Sequence, residues 1–434
     1  MLGLFMVLPV MMIEGEHLQG ATPQLLGLAM GVYGLTQAFL QIPAGTLSDR
    51  IGRKPVIIGG LIIFALGSVI AATADSVYGV IFGRALQGAG AIASAIMALV
   101  TDLTREHNRM KAMASIGASI GLSFSVALVL GPWLVGLGGL SLIFSVTAVL
   151  ALLGVAVTIW IIPNPAPQRH RDAMPVMTDI RQQLANGRLW PLNIGIFLLH
   201  AVLVAIFVAV PAQLQAFDIH ASQHSWVYLP VLLVSFVLMV PLIIIAEKRR
   251  QMKRVVLMGM VMIASALLLL APAQHFWQWM VLLVVFFWGF NLLEASLPSW
   301  LSKVAPAGAK GSAMGIYSTM QFLGAFAGGT LGGWIISHYD STTLFIVLAS
   351  CMALWGILML RSQAPQYLIS VRLTTSGALT DEQLQQLHTL NGVAEINWLA
   401  DEQAVYLKVN AEQFQAEHAA AILTTTGDNY GSQC

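Results

Sequence analysis

For most of this chain, apolar residues run in long stretches separated by short polar breaks. Stretches of bilayer-crossing length, about 20 residues, predict membrane-spanning helices near 22–44, 55–73, 77–101, 111–133, 139–162, 191–214, 225–246, 255–272, 276–300, 311–337 and 342–361. The opening LGLFMVLPVMMI is too short to span before it meets Glu14, and without a basic region ahead of it it does not read as a signal peptide. It reads as the remainder of a first membrane helix. Counted from it, 22–44 is the second span and 342–361 the twelfth.

Beyond Pro365 the pattern changes. Tyr367–Leu373, Val393–Leu399 and Gln403–Val409 alternate as strands do. LTDEQLQQLHTLNG, 379–392, predicts a helix with Thr380 as N-cap, Gly392 as stop and Leu384, Leu387 and Leu390 on one face. A second helix is expected near 411–424. The order β-α-β-β-α predicts a small ferredoxin-like α+β domain.

Composition narrows the class further. Of the 434 residues 57% are hydrophobic and 9% charged, against about 25% charged in a soluble domain, so the body is a polytopic all-α membrane protein. Two cysteines, Cys351 and Cys434, exclude a disulfide framework and any Cys-based metal site. Residues 1–365 hold 19 Lys/Arg against 12 Asp/Glu, and residues 366–434 hold 2 against 8, so a basic body precedes an acidic tail.

The loop charges predict orientation. One set of loops holds Arg50, Arg53 and Lys54; Arg105, Arg109 and Lys111; Arg169, Arg171, Arg181 and Arg188; Lys248 to Arg254; Lys303 and Lys310; and Arg361. The alternate loops hold no Lys or Arg, only residues such as Glu14, Glu16, Asp75, Asp218 and Asp340. The positive-inside rule places the basic loops, and with them the tail, in the cytoplasm. The longest polar stretch between spans, 163–190, separates two halves, 1–162 and 191–362, and the tail domain covers 366–434. The halves echo each other: Asp49 and its basic cluster recur as Glu247-Lys-Arg-Arg at an offset of 198, and Lys111-Ala-Met as Ser312-Ala-Met at 201. Offsets so nearly equal point to a duplicated six-helix unit.

Three motifs give the pattern a family. Gly45-x-Leu47-x-Asp49-Arg50-x-Gly52-Arg53-Lys54 matches, without a gap, the signature between helices 2 and 3 of major facilitator transporters, motif A. Arg84-x-x-Gln87-Gly88-x-Gly90 matches motif B, and Ala127-x-x-x-Gly131-Pro132 partly matches the antiporter motif C, with its expected Gly pair displaced to Gly136. The sequence therefore resembles the major facilitator superfamily, in particular bacterial members with a small C-terminal domain. The resemblance implies two six-helix halves, a substrate site between them near midplane, alternating access, a bacterial inner-membrane location and a monomer. It also implies that Asp49 caps the N-terminus of the eleventh span near Gly311, that Arg53 pairs with Asp102, and that Gly45 lets helices 2 and 11 approach. Together these would form a latch that holds only while the cytoplasmic side is closed. The plainer alternative makes Arg50, Arg53 and Lys54 topogenic charges at the headgroups.

Within the spans, Arg84 is expensive unless paired. It is either bonded to backbone carbonyls or placed to bias a nearby acid. Glu294 in FFWGFNLLEASLPSW is the one carboxylate well inside a span. Desolvation favours a carboxyl's neutral form, the property a proton carrier needs, although a carboxyl bonded to its neighbours, through Asn291 for example, would serve structure alone. His200, near midplane, titrates near neutrality or packs as an apolar-face histidine. Gln37, Gln41, Gln87 and Asn291 are hydrogen-bonding groups suited to a substrate cavity. Gly27/Gly31, Gly117/Gly121, Gly311/Gly315 and Gly324/Gly328/Gly332 carry the small-xxx-small spacing of tight helix contacts, and Gly131 and Pro132 join that packing role.

No phosphate-loop pattern, metal-ligand spacing, nucleophile–base pair or nucleic-acid motif occurs in the sequence. The expected protein is a non-enzymatic secondary transporter, without cofactor or metal. It would be driven by protons, export a small molecule such as a drug or metabolite, and carry a tail docked on the basic loops. A membrane-embedded sensor signalling through its tail, or an importer, is the alternative.

Overall fold

The structure, a computed structural model, describes residues 2–104, 109–163, 177–306, 309–365, 368–375, 379–399, 403–410 and 413–424. The basic residues Arg105, Arg169 and Arg171, most of the linker's proline-rich part and the ends of the tail lie outside these residues. The opening segment is two single turns, α1 (Leu2–Phe5) and α2 (Met11–Glu14). The second span is α3 (Pro23–Ile51), started by Thr22, whose hydroxyl accepts from the Leu25 N–H at 3.2 Å. It ends at Gly52, whose φ of 99° lies in the left-handed region where only glycine is unstrained. That one residue lets the chain reverse into α4 (Arg53–Ala72).

The fourth predicted span, 77–101, is two helices, α5 (Val77–Ala89) and α6 (Ala93–Leu103). The break at 90–92 lies where α4 presses closest. A Cβ on Gly60 would strike the Gly90 carbonyl, and Ala91 takes a φ of 33°. Conversely, the fifth and sixth spans run together as α7 (Arg109–Trp160), turned at Gly138 and Gly139, whose dihedrals leave the helical range. A short helix, α8 (Met177–Ala185), lies in the linker. The second half follows as α9 (Trp190–Ala216), α10 (Ser225–Lys248), α11 (Met252–Leu270), α12 (Phe276–Val304), α13 (Lys310–His338) and α14 (Ser341–Arg361). Asp340 caps α14, and hydrogen bonds from the Thr343 hydroxyl and N–H hold its carboxyl below the usual range.

Among the described residues, nine helical stretches are long and apolar enough to cross a membrane, one of them running through both spans of α7. The eleventh predicted span, α13, is not among them. Its 29 residues reach about 43 Å at 1.5 Å per residue, but glycine, serine and threonine dilute its apolar content. It lies instead between α3 and α9, and its small residues serve close approach, not lipid contact. An apolar core runs through both halves, from Met6 and Phe124 to Phe207, Phe287 and Trp355.

The tail comprises β1 (Ile369–Thr374), α15 (Asp381–Thr389), β2 (Val393–Leu399), β3 (Ala404–Val409) and α16 (Ala416–Thr424). The sheet order is β1-β3-β2, antiparallel throughout, so β3 is inserted between the two strands that α15 connects. Thr380 and Gln383 form a capping box at α15, and Gly392 takes a φ of 85° just beyond it. One sheet face, Val405, Leu407 and Val409, packs with Leu387 of α15 and Ala419 and Leu423 of α16.

Candidate functional site

The basic stretch after α3 is a closed knot. The Arg53 guanidinium donates to Asp102 Oδ2 at 2.9 Å and to Ser48 Oγ at 2.7 Å, and it pairs with Asp49 one turn away. Arg53 and Asp102 are buried, whereas Arg50 is exposed. One guanidinium therefore joins two carboxylates at the ends of α3 and α6, a geometry that suits its several donors. Two contacts expected of the closed cytoplasmic side are not made in this structure. Asp49 turns to Arg53. Gly45 faces Ser94 of α6, with a Cβ there 3.0 Å from its Oγ, and not α13.

The second half repeats the join with different charges. Glu247, at the end of α10, accepts from Lys303 Nζ at 2.6 Å and from Ser299 Oγ at 2.7 Å, both on α12. Lys303 stands 201 residues after Asp102, the same offset that relates Lys111 to Ser312. The tail meets the body at this place: Lys408 Nζ of β3 donates to the Lys303 carbonyl at 2.8 Å.

At the opposite end of the bundle the halves are pressed together. Gly27 and Gly31 of α3 face Gly329 and Phe326 of α13. A Cβ on Gly31 would lie 2.7 Å from the Phe326 carbonyl, and one on Gly329 2.5 Å from that of Gly27. Gly34 meets the Phe322 carbonyl in the same row. Nearer the basic end, Gln41 Nε2 donates to Thr319 Oγ1 at 3.0 Å, whereas Ser225 Oγ of α10, on the other side of the bundle, donates to the Val129 carbonyl of α7 at 2.7 Å. The opposite face of α13, Gly324 and Gly328, rests on the Phe197 and Ala201 carbonyls of α9. The glycines of α7 do not behave so. Among the described residues nothing lies within 4 Å of a Cβ on Gly117, and Gly121 meets only Phe236, at 3.8 Å. Gly131, beside Pro132, packs instead on the Met6 carbonyl, in the turn between α1 and α2.

Arg84 is bonded to backbone and to one side-chain amide. The buried guanidinium donates to the Ala29 and Met30 carbonyls at 3.3 and 3.4 Å and to Gln87 Oε1 at 2.9 Å. It also lies 5.2 Å from the Tyr33 ring centroid. Gln87 continues to Ser68 Oγ at 2.7 Å, so motif B joins α3, α4 and α5. Among the described residues no acid is bonded to it. Gln37 is buried in α3.

His200 and Glu294, on α9 and α12, do come together. His200 Nε2 is 3.8 Å from Glu294 Oε2, and Gln321 of α13 stands between them, its Nε2 2.8 Å from His200 Nε2 and 3.3 Å from Glu294 Oε1. His200 Nδ1, Glu294 Oε2 and the hydroxyl of Tyr317 are buried without hydrogen-bond partners among the described residues. Asn291 does not join them: its Nδ2 donates to Ser235 Oγ of α10 at 3.1 Å. Phe290, one turn from Glu294, packs edge-on to His200 and tilts against Phe124 of α7. Three helices thus place an acid, an imidazole and an amide within one turn's reach, with unfilled hydrogen-bonding capacity. Gln321, Tyr317 and Thr319 are not singled out by the sequence, where the glycines of α13 dominate the pattern. The signal lies in polar groups at 317, 319 and 321, in the stretch between Gly315 and Gly324.

Comparison with known proteins agrees with this architecture. The model of the Major Facilitator Superfamily matches residues 1–329 and 192–376. The sequence is 46% identical over 426 residues to the "Inner membrane transport protein YajR" of Escherichia coli (strain K12), covering 96% of this protein and 94% of that one. It is 25% identical over 367 residues to the "Multidrug resistance protein MdtH" of Aeromonas salmonicida (strain A449), covering 81% and 92%. Among solved structures, a point mutant of nucleoside transporter NupG superposes with a TM-score of 0.65 at 15% identity, over 83% of this protein and 96% of that one.

Proposed function

The chain belongs to the major facilitator superfamily, and from that premise we propose that it exchanges protons for a small molecule, which it exports from the cell. The observation that carries this reading is the His200–Gln321–Glu294 cluster. An acid and an imidazole inside the spans, with unpartnered oxygen and nitrogen atoms, are groups able to take up and release a proton. One proton moving down one pH unit supplies about 1.4 kcal/mol, enough for a tenfold gradient of substrate. Export is favoured by partial motif C and by the likeness to a protein called multidrug resistance.

The basic loops and the tail lie on the cytoplasmic side in this reading, in an inner membrane. The closure of the α3–α13 row at the other end supports a conformer that faces the cytoplasm. When the basic ends approach, Asp49 exchanges Arg53 for the N-terminus of α13, where the helix dipole favours a carboxylate. The tail, held by Lys408, biases that movement.

The test is counterflow into proteoliposomes with and without a pH gradient, screened across drugs, sugars and metabolites. Wild type is expected to transport one class in a gradient-dependent way. Glu294→Gln is expected to lose that dependence, and a variant that retains it in full would falsify the assignment.

A further inference from the structure

Where tail and body meet, a cavity of about 520 Å³ opens between three parts of the chain: the linker helix α8, the α12–α13 connection and the edge strand β2. We infer that this cavity is a binding site for a small organic amine, which fastens the tail to the body when it binds. Its walls are well held. The Trp190 indole N–H donates to the Leu184 carbonyl at 2.9 Å and ties the end of α8 to the start of α9, while α8 packs along α13. On the second wall the Ala305 N–H bonds to the Leu301 carbonyl at 2.8 Å and the Ala309 N–H to the Pro306 carbonyl at 3.2 Å. On the third, strand alternation puts Glu395 and Asn397 on the sheet face opposite the one that packs on α15 and α16.

The lining is rich in hydrogen-bonding groups and carries one charge. Glu395 supplies a half-buried carboxylate that takes no hydrogen bond and no ion pair among the described residues. Its cross-strand neighbour, Lys408, reaches to the Lys303 carbonyl at 2.8 Å. Gln183 is buried, and its Oε1 has no hydrogen-bond partner among the described residues. Asn186 gives its oxygen to the Arg188 N–H at 3.1 Å, which leaves its NH2 group to donate. Asn397 adds another amide, and Pro306 and Ala309 an apolar side. Among the described residues no Lys or Arg lines the cavity, although Arg181 and Lys310 adjoin lining residues in sequence.

This set selects by charge. A phosphate or carboxylate would meet Glu395 with no cation in the wall to offset the repulsion. A calcium ion would find one carboxylate where it takes about six to eight oxygens. An ammonium satisfies the carboxylate through a charge-assisted hydrogen bond, and the amides then read hydroxyl or amide groups on the rest of the molecule. The volume falls within the range of small-molecule sites, about 300–1,000 Å³. Because the walls belong to the linker, the second half and the tail, an occupant bridges all three. At ten times its dissociation constant, an amine that binds only the docked tail favours docking about eleven-fold.

The experiment uses the full-length protein in nanodiscs, with Cys351 and Cys434 replaced by serine and a trifluoromethyl label on Leu184→Cys, an exposed position of α8 outside the lining. Its fluorine signal is followed while three sets of hexose-sized molecules are added at up to about 10 mM: primary amines, uncharged alcohols and amides, and carboxylates. Binding is expected from the amine set. It should weaken about tenfold or more in Glu395→Gln, the worth of a hydrogen bond to a charged group, and about fivefold in Gln183→Leu, which keeps the wall and removes the acceptor. Both variants should keep the thermal midpoint of the parent without ligand. A bound amine should also slow deuterium exchange in residues 393–399, and not in Glu395→Gln. No binding from the amine set, binding spread evenly over the three sets, or amine binding indifferent to Glu395→Gln overturns the inference. An amine whose binding is lost in Glu294→Gln and kept in Glu395→Gln sits in the transport path and overturns it as well. The proton-exchange reading stands or falls separately, by flux.

Discussion

Arg84 shows how a residue that looks functional can be explained by its bonds. A guanidinium wholly buried, with no acid bonded to it among the described residues, is tolerable because two α3 carbonyls, the Gln87 amide and the Tyr33 ring share its charge. Arg84→Met should therefore cost about 2–3 kcal/mol, the worth of a few hydrogen bonds to a charged group, seen as a lower thermal midpoint in detergent. The pH profile of transport should stay where it was. A shifted profile at unchanged stability would return Arg84 to the proton pathway. The sequence locates Arg84 and cannot choose between these roles, since its carbonyl partners lie 54 and 55 residues away on α3. His200 and Glu294 are legible singly because charge inside an apolar run is rare. Their joining by Gln321 is not, because a neutral amide in a helix of small residues leaves no mark on the hydropathy pattern.

At the scale of the element, α13 has two working faces a few residues apart in register. Gly324 and Gly328 bear on α9 within its own half, whereas Phe322, Phe326 and Gly329 bear on α3 across the divide. Gly329→Leu would drive a side chain into the Gly27 carbonyl, an overpacking worth about 1–3 kcal/mol. The expected result is a shift of roughly five- to 150-fold in population towards the conformer in which α3 and α13 part at that end. Spin labels near residues 21 and 336 should then show a longer distance in the variant, and an unchanged distribution would mean that the row is not a moving contact. The four-residue spacing in α3 and α13 is visible in the sequence, but the same spacing in α7 leads nowhere, because spacing does not name a partner. The division of the fourth span is hidden for a related reason. It arises from the Gly60 backbone of α4 pressing on Gly90, and no local propensity at Ala91 announces it.

For the whole molecule, the tail and the body meet through Lys408 and the last turn of α12, where Lys303 also holds Glu247. Lys408→Met, or removal of residues 366–434, should raise deuterium exchange around residues 300–306 and change the share of molecules with an accessible basic end. Equal exchange and equal accessibility would reduce the tail to a passenger. The two brackets on which this end rests differ in charge. In the first half the two helix ends carry acids, Asp49 and Asp102, and a guanidinium from Arg53 is needed between them. In the second half one of the two ends carries a base, Lys303, and it meets Glu247 without an intermediary. At an offset of 198 the place of Arg53 is taken by the neutral Gln251. What the two halves have in common is a join between particular helix ends, each made with its own arithmetic of charge. A relative with an acid at residue 303 would need a cation at 251 to remain whole.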